Sequence, residues 1–362
     1  MAKQTTIGII GTGGIAHAHM QSYLEMEDVK IIGASDIVPG KARAFLDEFG
    51  LTDVPAFDDN DQLLALKPDG VSVCTYNSTH SLCSVAAMKA GVNVLCEKPM
   101  TVTLEQAVAM AECQKKTGKI LTIGFQPRYD PNMIMIKDLV RSGILGKIYY
   151  IQTGGGRRRG MPSGTFIRKD LAGVGCLADI GCYALDMVLN TVGYRKPLTV
   201  SAYATNYFGT NPQYHPDPDK FQVDDFSSAF IRLEGDLVID FRMSWASHMD
   251  TMGDTLFLGT DAGLKVKSPG LGTNWGGAWD GGVGPVKLYQ DIGGNQTETD
   301  IPLKPEATNR FFLKCRSFVD AVQQNGASPI PWQEIIYNQA IIDGIIRSSQ
   351  SNKEVAVEVP DL

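Results

Sequence analysis

The chain has no apolar run approaching the ~20 residues that a membrane-spanning helix needs, although 43% of its 362 residues are hydrophobic. It has no cysteine pattern either. The seven cysteines (Cys74, Cys83, Cys96, Cys113, Cys176, Cys182 and Cys315) are odd in number, scattered, and contain no C-x-x-C. That excludes a disulfide framework and fits a reducing, cytoplasmic setting. Histidine is scarce: His17, His19, His80, His215 and His248 form no metal-ligand spacing with the cysteines, so no metal site is expected. The net charge of −7 lacks a compensating basic stripe, which makes nucleic acid and anionic membrane poor partners. The N-terminal residues run straight into an apolar strand pattern, and no signal peptide is expected. No internal repeat occurs. The length allows two domains, each with a sizeable core.

The most informative positive feature is the segment 7–16. The apolar run Ile7, Ile9, Ile10 reads as a buried parallel strand, and it breaks at Gly11. Gly11-Thr12-Gly13-Gly14-Ile15-Ala16 then opens a helix. Gly11 allows a tight turn, Gly13 leaves room for a pyrophosphate, and Ala16 lets the helix pack close to the strand. The helix N-terminus offers N–H groups and a positive dipole end to phosphates. A second strand (Val29 to Ala34) ends at Ser35-Asp36, near the usual spacing for a carboxylate that holds the adenosine ribose hydroxyls. Such a carboxylate repels a 2′-phosphate. Lys41 and Arg43 are expected on the next helix, so NAD is favoured over NADP.

Strand and helix alternate through the first third. Strands are predicted at 6–10, 30–34, 70–75, 93–96 and 120–124, with helices at 14–25, 40–49, 78–90 and 103–117. This is a doubly wound sheet, whose ligands bind beyond the carboxyl ends of the strands. The second part changes to period two. In 236–246, Leu237, Ile239, Phe241, Met243 and Trp245 fall on one face. Further strands are predicted at 147–154, 198–205, 226–233, 255–259 and 286–290, with helices at 132–142, 177–191, 305–324 and 332–349. The expected architecture is an α/β Rossmann domain (1–125) plus an α+β domain (126–362) with a large, mostly antiparallel open sheet.

Two constellations carry chemistry. Glu97-Lys98-Pro99 follows a buried strand, which places Lys98 on the cofactor side of the sheet. Partly desolvated and near a cationic ring, its pKa should fall. In Gly173-Val174-Gly175-Cys176-Leu177-Ala178-Asp179-Ile180-Gly181-Cys182-Tyr183, the helical spacing puts Asp179 and Tyr183 on one face, with Asp186 on roughly the same side. A structural Asp and a packed Tyr on a half-buried helix would read the same way.

Together with Thr75-x-Asn77-x-x-His80 and Gly124-Phe125-x-x-Arg128-Tyr129, these motifs stand in an order that resembles the glucose–fructose oxidoreductase/inositol dehydrogenase family (Gfo/Idh/MocA). The resemblance spans nearly the whole chain. It implies NAD-dependent hydride transfer at a carbinol of a sugar, polyol or glycoside, C3 of a glycoside included. It also implies a cofactor site that includes Thr75, Asn77, His80, Glu97, Lys98 and Arg128. A homodimer or homotetramer through the second sheet is the implied assembly. Two positions depart from the pattern: Tyr76 replaces a frequent Pro, and Tyr183 stands where inositol dehydrogenase-like members carry His. Either Tyr183 or Lys98 can then be the base, with Asp179 orienting Lys98 or a substrate hydroxyl. A redox-neutral exchange on tightly bound NAD and a non-catalytic NAD-binding sensor are the alternatives. Substrate contacts are expected from Arg158 and Arg159 in the run 157–159, whose other reading is a solvated turn. Trp275 and Trp279, in a glycine-rich loop with Asp280, suit sugar stacking or a subunit contact equally.

Overall fold

The computed structural model describes residues 4–268, 283–305 and 309–362. Two compact units form: Met1–Gln126 with Thr308–Ile335 and Leu362, and Pro127–Ala307 with Ile336–Asp361.

In the first unit the strands are β1 (Thr5–Ile10), β2 (Val29–Ser35), β3 (Ala56–Phe57), β4 (Gly70–Val73), β5 (Asn93–Cys96) and β6 (Leu121–Ile123). Helices α1 (Gly14–Leu24), α2 (Lys41–Glu48), α3 (Asn60–Ala65), α4 (His80–Lys89) and α5 (Leu104–Thr117) connect them. All pairs are parallel, in the order β3-β2-β1-β4-β5-β6. The order reverses between β1 and β4, which makes that junction the switch point where ligands of such sheets sit. Local chemistry fixes the helix ends. Thr103 caps α5 by accepting the Gln106 N–H, and the Gln106 side chain accepts the Val102 N–H in return. Gly118, at φ +65°, ends the helix in the left-handed region.

The second unit holds α6 (Pro131–Arg141), β7 (Ile148–Gly156), α7 (Lys169–Ala172), α8 (Cys182–Val192) and strands β8 (Pro197–Thr205), β9 (Phe226–Leu233), β10 (Leu237–Ser244), β11 (Thr255–Gly259), β12 (Ala262–Val266), β13 (Val286–Ile292) and β14 (Asn295–Ile301). The chain then supplies α9 (Arg310–Gln324) to the first unit. There Cys315, Phe318 and Val319 join the core of Ile7, Ile9 and Met20. Helix α10 (Trp332–Ser351) and β15 (Val355–Ala356) end it. The sheet order is β14-β13-β12-β11-β7-β10-β9-β8-β15, antiparallel except for β7 with β10.

The period-two reading of β10 holds: Leu237, Ile239, Phe241, Met243 and Trp245 are wholly buried. Burying each such side chain contributes about 1.5–3 kcal/mol. The opposite face keeps Tyr203, Phe230 and Tyr289 exposed. Strands β12 and β14 were not expected. β12 is short, and β14 reads Asn-Gln-Thr-Glu-Thr-Asp-Ile, a polar edge strand without an apolar face. One expectation needs correction. The stretch Lys169–Val192 is long and apolar enough, by composition, to cross a membrane. It is mostly buried inside the protein, because α8 is apolar nearly all round and every residue from Cys182 to Thr191 is buried.

Asp186 on α8 is among those buried residues. Its two oxygens accept from Arg128 Nε at 2.9 Å and Nη2 at 2.6 Å, and the Arg128 guanidinium stacks 5.6 Å from the Tyr194 ring centre. Replacing Asp186 by Asn should destabilise the protein by about 3–5 kcal/mol, because a guanidinium is left buried without its counter-charge. Urea unfolding measures this, and the Arg128→Met/Asp186→Leu double variant should lose less. A single-variant loss below about 1 kcal/mol would show the pair to be dispensable.

Candidate active site

At the end of β1 the chain turns sharply. Gly11 has φ +83°, and a Cβ there would lie 2.8 Å from the Cys74 carbonyl oxygen and from Thr75 Cγ2. The loops after β1 and β4 therefore touch at the switch point, and only glycine fits. Gly13 caps α1 with no side-chain hydrogen bond, and a Cβ on it would meet nothing within 4 Å. The helix N-terminus thus faces open space with its first N–H groups uncapped by a side chain, as an anion requires.

Asp36 closes this corner. Its Oδ2 accepts from the Thr12 N–H (2.9 Å) and Thr12 Oγ1 (2.8 Å), and Oδ1 accepts the Val38 N–H (3.0 Å). Burial alone would raise its pKa; these donors and Lys41 outweigh burial and hold the carboxyl below its ordinary value. Lys41 begins α2 as expected, yet its Nζ reaches back to 3.1 Å from Asp36. Arg43 points elsewhere, to Asp47 and the carbonyls of Leu51 and Val54. The open space before α1, the uncapped helix end and the ionised Asp36 together fit a dinucleotide.

At the β5 end the Lys98–Pro99 peptide is cis. His80, at the start of α4, donates from Nδ1 to the Pro99 carbonyl at 2.8 Å. Burial lowers the His80 pKa, so the ring is neutral, and its Nε2 makes no hydrogen bond. His80 thus braces the turn that carries Lys98. Thr75 and Thr79 both donate to the Tyr76 carbonyl, which shapes the turn holding Asn77. Glu97 is buried, and both its oxygens are engaged. Oε1 accepts from His19 Nε2 (2.8 Å) and from Lys314 Nζ, and Oε2 accepts the Lys98 N–H at 3.2 Å. His19 and Lys314 were not singled out in the sequence. The signal for Lys314 was present: it sits between Phe311, Cys315 and Phe318 on an apolar helical stripe where a lysine is out of place.

In the second unit the helix after the glycine pair does not start as a regular α-helix. Leu177–Gly181 form a π-helical turn before α8, a distortion frequent at functional sites. Asp224 fastens its start by accepting the N–H groups of Gly175 (2.7 Å) and Leu177 (2.9 Å). Asp179 lies in the π-turn, and its Oδ2 accepts from the buried Trp245 Nε1 at 3.0 Å. Tyr183, one turn on, is buried. Neither Trp245 nor Asp224 was expected to act here; both lie far from the helix in sequence.

Arg128 is placed in the Asp186 pair described above. Arg159 is caged: its guanidinium lies 5.0 Å from the Phe208 ring centre and 4.8 Å from that of Tyr214, and it donates to the carbonyls of Arg158 and Ser247. Its Nη2 is 3.1 Å from His248 Nδ1. Arg158 is exposed. Trp275, Trp279 and Asp280 lie outside the described residues. Among the described residues, no three His, Cys, Asp or Glu side chains gather as a metal site.

The two loop glycines predict opposite behaviour. Gly13→Val should leave the unfolding temperature unchanged, since its space is open, and weaken dinucleotide binding at least about tenfold by filling the phosphate approach. Gly11→Ala should lower the unfolding temperature itself. Calorimetry with NAD titration reads both, and unimpaired binding by Gly13→Val would remove the loop from the site.

Residues 5–125 match the family model described as "Oxidoreductase family, NAD-binding Rossmann fold", and residues 133–265 match the GFO/IDH/MocA C-terminal domain. The chain is 32% identical over 358 residues to D-glucoside 3-dehydrogenase of Escherichia coli (strain K12), covering 96% of each. Glucose-6-phosphate 3-dehydrogenase of Bacillus subtilis (strain 168) is 31% identical over 186 residues, 50% of this chain and 52% of that one. In fold, levoglucosan dehydrogenase in complex with NADH superposes with TM-score 0.81 at 19% identity, over 99% of this chain and 100% of that one. Aldose-aldose oxidoreductase from Caulobacter crescentus does so with TM-score 0.79 at 22% identity, over 98% and 100%. With the glycine loop, Asp36 and a mostly antiparallel second sheet in place, the chain belongs to the GFO/IDH/MocA family of oxidoreductases with an NAD-binding Rossmann fold.

Proposed function

We propose that this oxidoreductase moves hydride between NAD and a secondary hydroxyl of a sugar, polyol or glycoside, with C3 of a D-glucoside as the favoured position. The observation that carries the reading is the full-length similarity to a D-glucoside 3-dehydrogenase. The loop Gly11–Ala16 and Asp36 hold the dinucleotide, and Thr75, Asn77 and Arg128 complete its surroundings. Asp36, ionised and fed by three N–H or O–H donors, favours a ribose diol over a 2′-phosphate, hence NAD over NADP. Bound NAD supplies the hydride acceptor. The chain's own task is the hydroxyl proton, which Lys98 and Tyr183 take up, with Asp179 orienting the reacting groups. Asp179 is in turn held by Trp245. Arg158 and Arg159 are both exposed, and Arg158 is the better candidate of the two for a sugar hydroxyl because the Arg159 guanidinium lies against Phe208 and Tyr214. Arg159, by its partners, shapes that loop. Seven unbridged, buried cysteines support a reducing compartment such as the cytoplasm.

Absorbance at 340 nm tests this, with NAD or NADP against glucosides, hexoses, inositols and sugar acids. NAD-linked turnover on a glucoside with a 3-keto product is expected. Lys98→Ala should lower kcat by orders of magnitude while NAD still binds. No lysine-dependent turnover on any sugar, in protein that binds NAD, would overturn the reading.

The open face of the second sheet supports a homodimer or homotetramer. Tyr203, Phe230 and Tyr289 are exposed on it beside Tyr150, whose hydroxyl donates to Asp240 at 2.8 Å. Light scattering should give a mass of two or four chains; a monomer would contradict this.

A further inference from the structure

Three ionisable side chains from three separate segments meet in the interior of the first unit: His19 of α1, Glu97 at the end of β5 and Lys314 of α9. Their exposures are 0%, 3% and 1%. Burial of charge is costly unless the charges are paired and hydrogen-bonded, and here they are. Glu97 Oε1 accepts from His19 Nε2 at 2.8 Å and from Lys314 Nζ. Lys314 Nζ also lies 3.0 Å from His19 Nε2. The network extends outward: Ser72 Oγ is 3.0 Å from His19 Nδ1 and 2.7 Å from the Tyr23 hydroxyl. Burial by itself would raise the Glu97 pKa, but the Lys314 ammonium and His19 outweigh it and hold the carboxyl far below its usual range. Space has been cleared for it as well. A Cβ on Gly124 would sit 2.9 Å from Glu97 Oε1.

What this carboxylate does besides is local. Its second oxygen accepts the N–H of Lys98, and one residue further on His80 holds the Pro99 carbonyl. We infer that Lys314 and His19 are positioning residues for Lys98: they clamp one oxygen of Glu97 so that its other oxygen fixes the backbone of the Lys98 turn. The inference rests on the reading of Lys98 as a catalytic residue. Glu97 then serves the site through the backbone of the turn. Lys314 lies outside both segments that match the family models.

The test compares Lys314→Met, Glu97→Gln/Lys314→Met and Lys98→Ala in the full chain. Lys314→Met leaves a histidine–carboxylate pair that can share one proton, so folding should survive. The double variant removes both charges and guards against misfolding of the single one. Two readouts are taken: kcat with NAD Kd on the sugar found by the 340 nm assay, and hydrogen exchange of the Lys98 amide in the protein alone. In both Lys314 variants kcat should fall about 10- to 100-fold, as misplacement of a reacting group does, while NAD Kd changes less than about threefold. The Lys98 amide should exchange at least about tenfold faster while the amides of α5 keep their rates. Wild-type kcat and unchanged Lys98 exchange in the Lys314 variants, with Lys98→Ala inactive, would overturn the inference and leave the role of Lys98 standing. A parallel loss of NAD binding and of α5 protection would reduce Lys314 to a fold residue, which also overturns it. Full activity of Lys98→Ala would instead remove the reading beneath it, and the amide exchange would still report whether the clamp exists.

Discussion

The first unit depends on one steric constraint, the approach of the β1 and β4 ends. Reversal of strand order between them opens a crevice at their carboxyl edge. The two loops must nonetheless touch, and they do so where Gly11 meets Cys74 and Thr75. A side chain at Gly11 would push the β4 loop away. That loop leads directly into the turn of Asn77 and to His80, which braces the Lys98–Pro99 turn. A close approach between two strand ends therefore sets the spacing of the glycine loop and of the lysine turn two strands away.

Polar groups in this interior are held to a shape that apolar packing alone would not give. The Asp36 carboxylate is oriented by two backbone N–H groups and one hydroxyl. Glu97 is oriented by an ammonium, an imidazole and a backbone N–H. Asp224 and Asp179 do comparable work in the second unit, one fastening the start of a helix, the other accepting from a buried indole. Such networks are worth having only when fully satisfied. The donors are backbone N–H groups, side chains on helices (His19, Lys314) and side chains just beyond strand ends (Thr12 after β1, Trp245 after β10).

Much of the fold was legible because the patterns were local. Ile7, Ile9 and Ile10 before Gly11 announce a strand and a turn, and Leu237 to Trp245 announce a half-buried strand by alternation alone. The glycine loop and Asp36 were legible for the same reason. Long-range partners were less so. Nothing near Glu97 in sequence points to Lys314, 217 residues away, and nothing near Asp179 points to Trp245. The π-turn at Leu177–Gly181 was invisible to an argument built on a 3.6-residue period. The partners of Arg128 and Arg159 were equally hidden: as charges beside motif residues they read as ligand contacts, and nothing nearby in sequence announces the carboxylate that Arg128 meets or the two rings beside Arg159.

These failures share a physical cause. Periodicity reports which face of an element is buried, not what a polar group on that face will meet. A polar residue inside an apolar stripe is therefore the place where sequence reading should stop and ask for a partner. Lys314 and Asp186 both occupy such positions, and both have found an opposite charge from a distant segment. Unpaired, either would cost several kcal/mol of stability. The presence of each in a stripe already implies its counter-charge, even where the pattern does not say which residue supplies it.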